Sequence, residues 1–188
     1  MTAPYPHGVS RPAPIARLVT LTVCVLAIGA SVAWLYYSMR AVMDVGGTCA
    51  EGGPYVIETH CPEGSVLFTT VSVPLWFAGV FIGMFAGATL RAPTPILPAW
   101  FLLFGALGWN FLDYAFAGDG PVEAGWLICG IAFELMALPA LGIWIMARTA
   151  RGKITDGPSS GLQWTLFYVA AIAIGLWLGH ISYFAWTS

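Results

Sequence analysis

The chain has 188 residues, of which 59% are hydrophobic and 9% are charged, with a formal net charge of −2. Soluble domains carry roughly 25% charged residues, so this composition leaves too few charges for a water-facing surface. The slight negative charge argues against nucleic acid as a partner, because nucleic-acid binding requires clustered Lys and Arg. The sequence therefore predicts an all-α integral membrane protein, a bundle of about five transmembrane helices within the lipid bilayer.

The first predicted element is a polar tail followed by an apolar span. Residues 1–15 are rich in Pro and polar residues, which predicts a disordered cytoplasmic tail. The chain is then apolar over residues 16–38, long enough to cross a hydrocarbon layer of about 30 Å. A cleaved signal peptide is the alternative, with residues 31–33 (Ser-Val-Ala) as a small-residue cleavage site. The aromatic continuation through Tyr36 and Tyr37 favours a retained anchor.

A polar external loop is predicted over residues 39–65, and it carries Cys49 and Cys61. External compartments are oxidising, so we expect these two cysteines to form a disulfide that staples the loop. Closing a loop of this length stabilises a fold by about 3 kcal/mol in the chain-entropy model. A redox-active pair is the alternative, although reactive pairs usually have the Cys-x-x-Cys spacing. Cys24 and Cys129 lie in predicted spans and are expected to be buried thiols.

Further apolar segments complete the predicted bundle. They cover residues 66–90, 96–117, 123–147 and 162–186, and turns that contain Pro or Gly separate them. Residues 16–188 are therefore predicted to form one helical membrane domain.

The basic residues predict how the bundle is oriented, since cytoplasmic loops carry an excess of Lys and Arg. Alternating the five spans leaves Arg40 on one side and places every other basic residue on the opposite side. Those residues are Arg11, Arg17, Arg91, Arg148, Arg151 and Lys153. This bias predicts a cytoplasmic N-terminus and an external C-terminus. The preference for Arg over Lys, with abundant Ala, Gly and Pro, indicates a bacterial cell membrane.

Two predicted spans carry rows of small residues that permit close approach of helices. Gly79, Gly83 and Gly87 follow one another at four-residue spacing in the second span, and Gly175 and Gly179 do so in the fifth. One interpretation is packing within the chain. The other is a face that docks a protein partner or a second copy, and the spacing fits both.

Glu134 is the most informative polar residue, because it lies near the middle of the fourth span. An ionised acid at that depth costs about 2.5–3.5 kcal/mol, so it must be neutral, paired or hydrated. Asn110 and Asp113 share one face of the third span, and His180 lies towards the external end of the fifth. One prediction is that these four side chains line a polar site for protons, ions, a lipid-like ligand or a partner. The alternative is structural: a neutral Glu134 hydrogen-bonds a neighbouring helix, Asp113 is solvated and His180 packs at the interface.

No sequence pattern indicates catalysis, a metal or a cofactor. A membrane b-type haem normally requires two intramembrane histidines, whereas His180 is the one histidine in a predicted span. We therefore favour a non-enzymatic accessory subunit or assembly factor of a membrane complex. A small proton- or ion-coupled transporter that uses Glu134 is one alternative. A membrane thiol oxidoreductase that uses Cys49 and Cys61 is a second.

Overall fold

The computed structural model describes residues 14–50, 56–117, 122–151 and 158–187. This part of the chain forms five α-helices and no β-strand: α1 (Pro14–Asp44), α2 (Ser65–Thr89), α3 (Ile96–Phe116), α4 (Ala124–Arg151) and α5 (Pro158–Thr187). All five helices are long and apolar enough to cross a membrane. The predicted tail falls almost entirely outside the described residues and stays a prediction.

Helix α1 extends further than the sequence indicated. It continues to Asp44 instead of ending at residue 38, and the chain turns at Gly46 and Gly47, whose φ angles are 97° and 79°. Glycine adopts such positive φ values without a steric penalty. The additional turn of α1 carries Arg40 and Asp44, and both side chains contact α3. The charges of Arg40 and Asp44 indicated a loop. In the structure, both residues lie in α1, where they have partners on α3.

Helix α1 is the central element of the bundle. It packs along α2 and along α5 and also contacts α3, while α4 packs on α3. One cluster of buried side chains, which includes Leu21 and Tyr168, joins α1, α2 and α5. Another, which includes Ile28, Trp76 and Ala99, joins α1, α2 and α3.

The rows of small residues lie where α1 meets its neighbours. A Cβ atom placed on Gly79 of α2 would lie 3.1 Å from the carbonyl oxygen of Cys24 in α1. Helix α5 approaches more closely, since a Cβ atom on Gly175 would lie 2.4 Å from the carbonyl oxygen of Leu26. Gly29 of α1 faces Gly175 in this contact, and it was not among the packing residues predicted from the sequence. Its signal was the spacing of Gly29 from Ala33, another pair of small residues four positions apart.

Gly83, Gly87 and Gly179 belong to the same contacts. A Cβ atom on Gly83 would meet the side chain of Cys24, and one on Gly87 would approach Leu21. A Cβ atom on Gly179 would come closer still, at 2.6 Å from the carbonyl oxygen of Ala30. Both rows therefore face α1 of the same chain.

Candidate functional site

Helices α1, α3 and α5 all end on the side of the bundle where the connection between α1 and α2 lies, which we call the loop end. Gly47 in this connection lies against Trp126 of α4, and Gly64 lies against Thr187 of α5. Cys49 and Cys61 form a disulfide in this connection, with their Cα atoms 4.9 Å apart. The predicted disulfide is confirmed.

Arg40 is the centre of a polar cluster between α1 and α3 near the loop end. Its Nη2 atom lies 2.6 Å from Oδ2 of Asp113 and forms an ion pair with it. Its Nη1 atom donates to the hydroxyl of Tyr36 at 3.2 Å and to Oδ1 of Asn110 at 3.4 Å. The guanidinium also lies 5.2 Å from the centre of the Tyr114 ring, within the range of a cation–π contact.

Two further contacts complete what we call the Arg40 cluster. Asn110 is completely buried, and its Nδ2 atom donates to the backbone carbonyl of Tyr36 at 2.9 Å. The hydroxyl of Tyr114 donates to the carboxylate of Asp44. The members of the cluster are Tyr36, Arg40, Asp44, Asn110, Asp113 and Tyr114. Their contacts attach the last turns of α1 to α3.

The Arg40 cluster is only partly shielded from its surroundings. The side chains of Arg40 and Asp113 are 36% and 38% exposed, so removing one partner of this ion pair should cost less than it would in a fully buried pair. The cluster holds one guanidinium against the carboxylates of Asp44 and Asp113, which leaves an excess of negative charge. In the sequence, Arg40 indicated only the orientation of the chain, and its pairing with Asp113 was not predicted. Its position as the one basic residue on the predicted external side was the available signal.

His180 takes part in a different contact, between α1 and α5. Its Nδ1 atom lies 2.9 Å from the hydroxyl of Tyr37 in α1, at hydrogen-bond distance. The rings of Tyr183 and Phe184 pack against Tyr37 and extend this contact along α5. The hydrogen bond and the ring contacts together attach α5 to α1 at Tyr37.

Glu134 lies on α4 and packs against Gly108 of α3. A Cβ atom on Gly108 would lie 2.8 Å from Oε1 of Glu134 and 3.0 Å from its Cγ atom, so the absence of a side chain there makes room for the carboxyl. Glu134 is half-buried. Within the described residues, its carboxyl forms no hydrogen bond and no ion pair. Gly108 was not singled out by sequence analysis.

The four predicted polar residues therefore lie in three separate contacts. Asn110 and Asp113 meet at Arg40, His180 contacts Tyr37, and Glu134 packs on Gly108.

A groove of about 260 Å³ lies along α1 between α3 and α5. It is lined by Val32, Ala33, Tyr36, Tyr37, Ala106 and Leu176. The Arg40 cluster reaches the groove through Tyr36, and His180 reaches it through Tyr37. The groove therefore adjoins two of the three polar contacts.

Across the described ranges, His, Cys, Asp and Glu side chains form no group of three or more that is placed to hold a metal ion. No family model, curated protein or solved structure matches this chain.

Proposed function

We propose that the chain is an integral membrane protein that serves as a non-enzymatic accessory subunit or assembly factor, and that α4 receives its partner beside Glu134. The five apolar helices support a location in a membrane. One observation carries the rest of the proposal: the carboxyl of Glu134, near the middle of the apolar part of α4, has no polar partner among the described residues.

The physical argument concerns the free energy of a carboxyl group in hydrocarbon. Whether it is ionised or neutral, the group is destabilised there unless it finds a hydrogen-bond partner, a counter-charge or water. Gly108 gives the carboxyl space but no polar side chain. A donor from a neighbouring polypeptide would supply the missing partner.

The surface of α4 around Glu134 leaves room for such a neighbour. Helix α4 packs on α3, and many of its described side chains on the remaining surface are exposed. Ile131 and Leu138 lie about one turn before and after Glu134 on the same side of α4, with 47% and 55% of their surface exposed. A partner helix on this strip would cover both side chains and reach the carboxyl.

The other polar contacts also support a component without catalytic chemistry. The Arg40 cluster joins α1 to α3, and the hydrogen bond between His180 and Tyr37 joins α1 to α5. These side chains are engaged in holding helices together. The thiol oxidoreductase alternative rests on the sequence alone.

The experiment is recovery of the partner from native membranes in a mild detergent, with tagged wild-type protein and two variants of Glu134. We expect Glu134→Gln to retain the partner, because an amide both donates and accepts hydrogen bonds. Glu134→Leu is expected to lower recovery by about three- to fifteenfold, since hydrogen bonds between membrane helices average about 0.6 kcal/mol and reach about 1.7 kcal/mol.

The matched control is Glu123→Leu, which removes an exposed carboxylate just before α4 and should leave recovery unchanged. Wild-type protein that purifies without a partner, or equal recovery with Leu and Glu at position 134, would contradict the proposal. The transporter alternative concerns a different measurement. It predicts that Glu134→Gln abolishes proton or ion movement while the protein still folds and inserts.

A further inference from the structure

We infer that the groove between α3 and α5 binds one zwitterionic phospholipid with a primary ammonium head group. Its acyl chain would lie along α1 and its head group beside the Arg40 cluster. The inference rests on the bundle lying in a bilayer, as proposed above. It does not depend on Glu134 receiving a partner.

The shape of the groove fits an acyl chain. Its volume of about 260 Å³ is too small for an α-helix, which has a diameter of about 10–12 Å with its side chains. The small side chains of Ala33 and Ala106 leave the space open, and Val32 and Leu176 complete the apolar wall. A crevice of this kind within a bilayer is open to lipid hydrocarbon.

The polarity of the groove changes along α1 as it does along a phospholipid. The phenols of Tyr36 and Tyr37 bring polar atoms to the part nearer the loop end, where Arg40 and His180 bind them. Val32 lies about 12 Å from Arg40 along the helix axis, at about 1.5 Å per residue. The groove therefore has a polar end near the end of α1 and an apolar end towards the middle of that helix.

The charges near the polar end select the head group. A guanidinium has five N–H donors, and Arg40 makes three hydrogen bonds within the described residues, so donors are left for a phosphate. Asp44 is exposed and Asp113 is half-exposed, and their excess of negative charge disfavours a lipid with net negative charge. A head group that pairs a phosphate with an ammonium is complementary to both signs.

The test is native mass spectrometry of the purified protein after reconstitution in vesicles with equal amounts of phosphatidylethanolamine and phosphatidylglycerol. Wild-type protein should retain one phosphatidylethanolamine, with an enrichment of about fivefold over phosphatidylglycerol, as expected for one charge contact near a membrane surface. Ala106→Phe, which fills the groove from α3, should remove most of the retained lipid. Asp113→Asn, which removes one carboxylate, should lower the enrichment.

The matched control is Ala132→Phe, which enlarges an exposed alanine of α4 away from the groove and should keep the wild-type pattern. Leu176→Phe fills the groove from the α5 side and serves as the second variant if Ala106→Phe does not fold. Equal retention of both lipids by the wild-type protein would overturn the inference. Unchanged retention in a folded groove-filling variant would also overturn it. Neither result would bear on the recovery of a partner through Glu134.

Discussion

Gly175→Ala is expected to force α5 away from α1 and to lower the unfolding midpoint of the protein in detergent. The added Cβ atom would lie 2.4 Å from the carbonyl oxygen of Leu26 and 3.1 Å from the Cα atom of Gly29. Both are backbone atoms, so a side-chain rotation cannot relieve the clash. Overpacking usually costs about 1–3 kcal/mol, and we expect a value at the upper end.

Gly142→Ala is the matched control for this substitution. It adds the same methyl group inside α4, where, apart from the adjacent residues and the backbone of that helix, no described atom lies within 4 Å of the new Cβ position. Replacing glycine by alanine inside a helix stabilises it by about 0.5–1 kcal/mol, so this variant should unfold at the wild-type midpoint or slightly above. Equal midpoints for the two variants would contradict the close contact of α1 with α5.

Arg40→Leu is expected to be the most damaging change at the polar contacts. It removes the ion pair with Asp113 and one hydrogen bond to the buried Asn110. Because the ion pair is more than one-third exposed, we expect a loss of about 1–3 kcal/mol, below the cost of breaking a fully buried pair. Denaturant unfolding in a fixed detergent would measure it.

Two comparisons separate the loss of the pair from the loss of a charge. Arg17→Leu removes a half-buried arginine near the start of α1 and should change stability by less than about 0.5 kcal/mol. The double variant Arg40→Leu, Asp113→Leu should recover part of the loss, because it leaves no unpaired carboxylate at that position. An effect of Arg40→Leu as small as that of Arg17→Leu would mean that the cluster does not hold α1 to α3.

Much of the fold could be predicted from the sequence, because apolar length and Pro- and Gly-containing turns identify the five helices directly. The end of α1 could not. Charges at Arg40 and Asp44 interrupt an apolar run as loop residues do, and their partners lie on α3, which the local sequence pattern does not indicate. The disulfide was predictable, since Cys49 and Cys61 lie in the same short connection.

The polar site was predictable within one helix but not between helices. The three-residue spacing of Asn110 and Asp113 places them on one face of α3, but periodicity does not indicate which helix lies opposite that face. Arg40 and Gly108 acquire their roles only through the way α1 and α4 pack on α3. The polarity of Glu134 marked it as unusual, while the contact that accommodates it depended on the packing.

The central claim is that a second polypeptide covers α4 beside Glu134, and site-specific photocrosslinking in native membranes tests it most directly. A photoreactive amino acid in place of Ile131 or Leu138 samples the strip next to Glu134. The same amino acid in place of Phe85 samples an exposed position of α2, where 76% of the residue surface is accessible. We predict a discrete protein adduct from the two α4 positions and only lipid adducts from position 85. Lipid adducts alone from all three positions would contradict the account.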